Sequence, residues 1–355
     1  MNSQAGVVYD LRQLVCIERI VDSMNKKPDL EDYNESRSKG GFHLIPEAGY
    51  LRISGPDQFA FLQRQTTNDM NLLKTGRALL TVLTNSAARI LDVLYLLEKT
   101  TNQQQFASEA PDIELITLPG FTTSTYQYLK RRIFFMDKVT ISDHSDEFTQ
   151  INLITTKKNY IPDDLAELNV LEADQEVGIT YQGIPLRIIR LNPAIGLGYL
   201  FIVPKTHQLD LVAWLQKWGF PKVSDTLYQI LRIEAGLPQP GKELSDKYTP
   251  LEVGLSKAVS GNKGCYTGQE VIARQITYQK ITQQISGISL DELTEEGSLI
   301  EVDGKPIGSL TSNTYSPHFG PIGLAVLKRP YHLAGVHINI GQVNGIVRNI
   351  PFSDS

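Results

Sequence analysis

The segment Lys263-Gly264-Cys265-Tyr266-Thr267-Gly268-Gln269-Glu270 sets a thiol between glycines, close to an ammonium group and just ahead of the apolar run Val271-Ile272-Ala273. Cysteine chemistry runs through the thiolate, which a neighbouring lysine or a helix N-terminus favours. Thr267 and Glu270 have the S/T-x-x-E spacing of a capping box, so a helix is expected to start here with Cys265 just outside its positive end. One reading is an exposed, activated sulfur. The other is a small residue in a tight turn, with Glu270 a capping group rather than a catalyst.

Two carboxylates stand in apolar company. Glu234 follows Leu227, Ile230 and Leu231 on one helical face, and Gly236 and Pro238 stop that helix. A charge on a core-facing stripe is costly unless it is paired. Its partner is either a neighbouring arginine or a ligand offering two donors along one edge. Asp92 lies in Arg89-Ile90-Leu91-Asp92-Val93-Leu94-Tyr95-Leu96-Leu97, a strand apolar on both faces. By alternation it shares a face with Ile90, Leu94 and Leu96. It either bonds turn amides at the strand end or takes part in chemistry.

Other patterns carry little. The six histidines form no HExxH and no close pair of ligands, so no metal site is expected. Gly196-Leu197-Gly198-Tyr199 lacks the third glycine of a dinucleotide loop and runs into a strand-like segment. Trp214 and Trp218, one helical turn apart, read as core or lid.

Positioning these groups takes a large scaffold. At 355 residues the chain has room for two or three domains. A net charge of −5 argues against a broad nucleic-acid surface. Two distant cysteines, Cys16 and Cys265, fit a reducing compartment and no disulfide scaffold. No apolar run approaches the roughly 18 residues of a membrane span, and no secretory leader is evident. The expectation is a cytoplasmic protein without a membrane partner.

A helix is expected over Val7 to Met24, then a polar loop from Asn25 to Gly40. A strand at Tyr50–Ser54, a helix from Phe59, strands at 78–84, 89–98 and 113–118 and a helix at 120–131 suggest a ferredoxin-like α+β layer. From about residue 147 the alternation begins again, with strands at 184–190 and 199–203 and helices at 207–218 and 225–235. Beyond Gln279, short strand-like runs separated by turns predict a small all-β unit.

The cysteine segment resembles the signature of YgfZ-type folate-binding proteins, relatives of the glycine-cleavage T-protein (aminomethyltransferase) and of the mitochondrial iron–sulfur assembly homologue. Further blocks are similar to that family in order. They are Ile53–Asp57 with Phe61–Asp69, Tyr128–Arg131 with Lys138–Asp143, Arg232-Ile233-Glu234-Ala235-Gly236, and Gly323–Arg329. The resemblance implies a three-domain cloverleaf of α+β layers with a C-terminal β-barrel. Its expected division is 1–46 plus 143–275 for folate binding, 47–142 as the ferredoxin-like layer and 276–355 as the barrel.

It also implies tetrahydrofolate as cofactor, Glu234 as the pterin anchor and Asp92 at the folate amine. Lys263, Tyr199 and Arg274 join the expected cofactor-binding set, and Cys265 with Asp92 forms the expected catalytic set. The implied role is an accessory factor for assembly or repair of iron–sulfur proteins, with those proteins as clients and tRNA-modifying enzymes among them. A tetrahydrofolate-dependent aminomethyltransferase or other one-carbon transferase is the alternative. T-proteins commonly carry two adjacent acids where this chain has Asp92-Val93, which argues against aminomethyl transfer.

Overall fold

A computed structural model describes residues 30–99, 111–155 and 163–353. The expected helix at Val7–Met24 and Cys16 lie outside them. The first described element corrects an expectation. Leu30–Lys39, read as loop, is a helix (α1). Its sequence lacks an apolar stripe because the core receives only Tyr33 and Ser36, while Glu35 and Lys39 pair at i,i+4 on the outside.

Residues 49–143 build one antiparallel sheet. Strands β2 (Gly49–Ser54), β3 (Leu79–Thr84), β4 (Ile90–Glu98), β5 (Ile113–Thr117) and β6 (Thr140–Asp143) lie in the order β3-β4-β5-β2-β6. Helices α2 (Gln58–Gln65) and α3 (Thr122–Arg131) cover one face, where Phe61, Leu62 and Leu129 meet Leu94, Leu96 and Leu115. A bulge where β3 pairs with β4 leaves Leu91 extra between Ile90 and Asp92. Strict alternation therefore fails there. Ile90 packs with Val93 and Tyr95 on the other face, not with Leu94.

A second antiparallel sheet has the order β1-β7-β10-β9-β8. Its strands are β1 (Gly41–Leu44), β7 (Phe148–Ile154), β8 (Glu176–Tyr181), β9 (Ile184–Arg190) and β10 (Tyr199–Pro204). Helix α4 (Gln208–Lys217) covers its outer face with Leu211 and Leu215, and Trp214 and Trp218 set their rings edge-on to Tyr181. The inner faces of both sheets meet in one core, Leu80, Val82, Val93 and Tyr95 against Ile189, Leu200 and Ile202.

Helix α5 (Asp225–Glu234) is capped by the Ser224 hydroxyl on the Leu227 N–H. After helix α6 (Gln269–Thr277), strands β11 (Gln283–Leu290), β12 (Leu299–Val302), β13 (Lys305–Ser316), β14 (Gly320–Lys328), β15 (His337–Ile340) and β16 (Val343–Arg348) close into a barrel. Closure leaves no free edge strand. The architecture is the expected α+β arrangement with a small C-terminal barrel. No described helix is long and apolar enough to cross a membrane.

Candidate functional site

A cavity of about 340 Å³ opens between the inner faces of the two sheets. The strands supply it by alternation. Val93, Tyr95 and Ile116 come from the first sheet. From the second, His43, Asn152 and Leu200 stand directly across from one another on β1, β7 and β10. Helix α5 adds Asp225, Tyr228, Gln229 and Arg232, one stripe at three- and four-residue spacing. The segment after it adds Gln239 and Leu244.

The walls are mostly apolar, yet four lining residues each bury a polar atom without a hydrogen-bond partner: His43 Nδ1, Asn152 Oδ1, Arg232 Nη2 and Gln239 Oε1. Each such atom costs about 1–3 kcal/mol when left unpaired. Further such atoms, among them Arg52 Nε, Arg187 Nε and His332 Nδ1, lie elsewhere, and these four gather around one apolar cavity.

The rest of Arg232 is fixed. Its Nε donates to Gln229 Oε1 at 2.8 Å, and its Nη1 donates to the Leu237 carbonyl at 3.3 Å and lies 3.5 Å from Glu243 Oε2. Glu243 is fully buried and accepts from Ser312 Oγ at 2.7 Å and the Gln239 N–H at 2.9 Å. Burial pulls the Arg232 pKa down, and Glu243 opposes that pull. His43 pairs through Nε2 with Asp225 Oδ1 at 2.9 Å and stacks on Tyr228 at 4.2 Å. Burial lowers the His43 pKa despite the Asp225 charge.

The residues singled out from sequence are not gathered at this cavity. Glu234 lies on the opposite side of α5, where Tyr33 Oη and Ser316 Oγ each donate to its Oε1 at 2.6 Å. The donors to that oxygen are hydroxyls brought by α1 and the barrel, not an arginine. Tyr199 faces the outer core and donates to the Leu168 carbonyl at 2.7 Å, while its neighbour Leu200 lines the cavity.

Asp92 points away from the cavity toward α3. Its carboxyl accepts from Thr125 Oγ1 at 2.5 Å, the Val93 N–H at 2.8 Å and the Leu118 N–H at 3.1 Å. Burial raises its pKa to about 7 against the pull of those donors. Of the Asp92-Val93 pair, the member that faces the cavity is the valine.

Cys265 is exposed and free. Its loop departs from the expected cap. Gly268 is the N-cap of α6, with φ 86° and no side-chain cap bond. The left-handed turn starts the helix beyond Thr267, whose carbonyl instead accepts from Thr84 Oγ1 at 2.6 Å. Glu270 pairs with Arg274 at 2.6 Å on the exposed face of α6, so Arg274 lies outside the cavity. The capping box of this region is Thr249 with Glu252, whose Oε2 accepts from the Thr249 N–H at 2.8 Å.

Lys263 is buried and donates to the carbonyls of Thr66 at 2.6 Å and Asn68 at 2.7 Å. Burial lowers its pKa to about 8. Its ammonium anchors the loop to the segment that follows α2. Tyr128 Oη donates to the Thr84 carbonyl at 3.2 Å, linking this loop to a surface groove of about 460 Å³ that includes Tyr128, Arg131 and Arg132. Beyond that groove, Phe134, Phe135 and Met136 are 66%, 97% and 72% exposed.

His43, Asn152, Arg232 and Gln239 escaped sequence reasoning because they come from four separate segments. One signal was legible. Asp225, Tyr228, Gln229 and Arg232 form a polar-aromatic stripe on α5, opposite the apolar one.

Residues 27–263 match the family described as the GCVT N-terminal domain. The chain is 31% identical over 312 residues to the "Putative transferase At1g60990, chloroplastic" of Arabidopsis thaliana, covering 86% of this chain and 69% of that protein. It is 25% identical to the aminomethyltransferase of Caldanaerobacter subterraneus subsp. tengcongensis, covering 91% and 84%. The crystal structure of glycine cleavage system aminomethyltransferase T from Bartonella henselae superposes with a TM-score of 0.74 at 20% identity, covering 91% of this chain and 89% of that one. The T-protein fold is thereby shared across both α+β sheets and the barrel.

Proposed function

Because this chain belongs to the GCVT N-terminal domain family, we propose that it is a tetrahydrofolate-binding accessory factor of the YgfZ type, serving the assembly or repair of iron–sulfur proteins. The observation that carries the folate half is the set of four orphaned polar atoms in one apolar cavity. A pterin presents an amine, ring N–H groups and a carbonyl around one flat ring. His43 Nδ1, Asn152 Oδ1 and Gln239 Oε1 would accept from its donors, and Arg232 Nη2 would donate to its carbonyl. Arg232 thus takes the anchoring role expected of Glu234. When bound, tetrahydrofolate supplies a carrier for one-carbon units.

The cavity-facing residue beside Asp92 is Val93, so β4 offers a bound pterin no carboxylate. That supports binding without aminomethyl transfer. Cys265 supports the iron–sulfur half, as a free exposed thiol on an anchored loop. The apolar tip at Phe134–Met136 gives a client protein a surface to meet. The second reading, a one-carbon transferase, is favoured by the names of the relatives.

Calorimetry with tetrahydrofolate tests the first half. Arg232→Met paired with Glu243→Gln, which avoids an unpaired buried carboxylate, should weaken binding about ten- to a hundredfold. Unchanged affinity would remove Arg232 from the site. Cys265→Ser should bind tetrahydrofolate like wild type but fail to restore iron–sulfur enzyme activity in cells lacking the protein. Full restoration would make the thiol a turn residue. Methylenetetrahydrofolate formed from an aminomethyl-lipoyl donor at enzymatic rates would decide for the second reading.

A further inference from the structure

We infer that His43 sets the ligand specificity of the cavity, its Nδ1 accepting a hydrogen bond from a ring or amine N–H of the bound heterocycle. This rests on the cavity being a pterin site. Strand β1 turns Phe42 into the outer core and His43 inward, opposite Asn152. One turn of α5 then fixes the imidazole from two directions. Asp225 takes its edge at Nε2, and Tyr228 lies flat against its face with the ring planes 7° apart.

A carboxylate only accepts, so the proton of a neutral imidazole sits on Nε2. That leaves Nδ1 as a lone pair, and Nδ1 is the buried atom without a partner. Asp225 is 87% exposed, so the pair joins the solvent-facing rim to the buried wall. Here one nitrogen is held and the other, buried beside the cavity, has no partner. The charged groups acting on the ring are Asp225, which favours a proton, and Lys222, which opposes it.

The test uses the full chain labelled with 15N-histidine. In the ligand-free protein, His43 should be the Nε2–H tautomer. A Nδ1–H tautomer overturns the inference whatever the protein binds. On saturation with tetrahydrofolate, the Nδ1 resonance should move upfield, as an acceptor's does, and an unmoved resonance overturns it.

His43→Leu should lose about tenfold in tetrahydrofolate affinity, and His43→Asn, whose Oδ1 occupies the Nδ1 position, should recover most of it. Equal loss in both variants means packing alone and overturns the assignment. Should His43→Leu fail to fold, the tautomer and the Nδ1 shift still decide. Absence of tetrahydrofolate binding by wild type sinks the folate reading, and this inference with it, whereas binding with an unmoved Nδ1 sinks this inference alone.

Discussion

At the scale of single residues, Asp92 is the most informative group outside the cavity. Burial raises its carboxyl from an ordinary 3.8 to about 7, the largest influence on it, while Thr125, Leu118 and Val93 pull the other way. Between about pH 4 and 7 the folded chain therefore holds a proton that the unfolded chain has released. Stability attributable to Asp92 falls as pH rises through that window and is level above it. Asp92→Asn cannot ionise. Its stability relative to wild type should climb by on the order of 2–4 kcal/mol from pH 4 to 7, then stay constant. Urea melts at pH 4.5, 6 and 8 measure this, and a difference that ignores pH would mean the carboxyl is ionised throughout. Sequence alone identified Asp92 as unusual but not its donors. Alternation placed it with Leu94 and Leu96, as found, but the Leu91 bulge sends Ile90 to the other face, and two of its three donors, Leu118 and Thr125, lie more than twenty residues away.

At the scale of elements, the loop carrying Cys265 depends on Gly268 and hardly at all on Gly264. A Cβ on Gly268 would lie 2.7 Å from the Asn85 carbonyl oxygen, at a left-handed φ of 86°. Around Gly264 nothing lies within 4 Å. Gly268→Ala should cost about 1–3 kcal/mol, and Gly264→Ala should stay within about 0.5 kcal/mol. Denaturant midpoints of the pair check this, and equal effects would contradict the docking of the loop on the β3–β4 turn. The strands at 49–54, 79–84, 90–98, 113–117, 184–190 and 199–204 and the helices packed on them were legible because their apolar residues repeat with the right periods, whereas β6, β7 and β8 were not singled out. Helix α1 was not, since its contribution to the core is one tyrosine and one serine amid charges. The cap of α6 was misplaced for a different reason. Thr267 and Glu270 have the right spacing, but a glycine in between takes the turn that sets the helix start.

At the scale of the molecule, three units converge on one helix. The cavity joins the inner faces of both sheets, and no spacing within a single segment foretells it, because residues 43, 152, 232 and 239 meet only after the sheets pack. Helix α5 gives Arg232 and Tyr228 to that cavity and Glu234 to the barrel and α1, with Ile233 packed on Ile285, Ile322 and Leu324. A helix shared in this way ties two equilibria together. Whatever a ligand gains by steadying α5, the barrel gains in resistance to local opening, and thermodynamic reciprocity makes the two increments equal. Tetrahydrofolate should slow amide hydrogen exchange in β13 and β14, strands that never touch the cavity. Glu234→Gln should weaken that distant protection while leaving most of the affinity in place. Protection confined to the cavity walls would show α5 to be a partition instead. If the strands do respond, the barrel is a gauge of cavity occupancy, and a client protein gripping it could sense, or discharge, the ligand without ever meeting it.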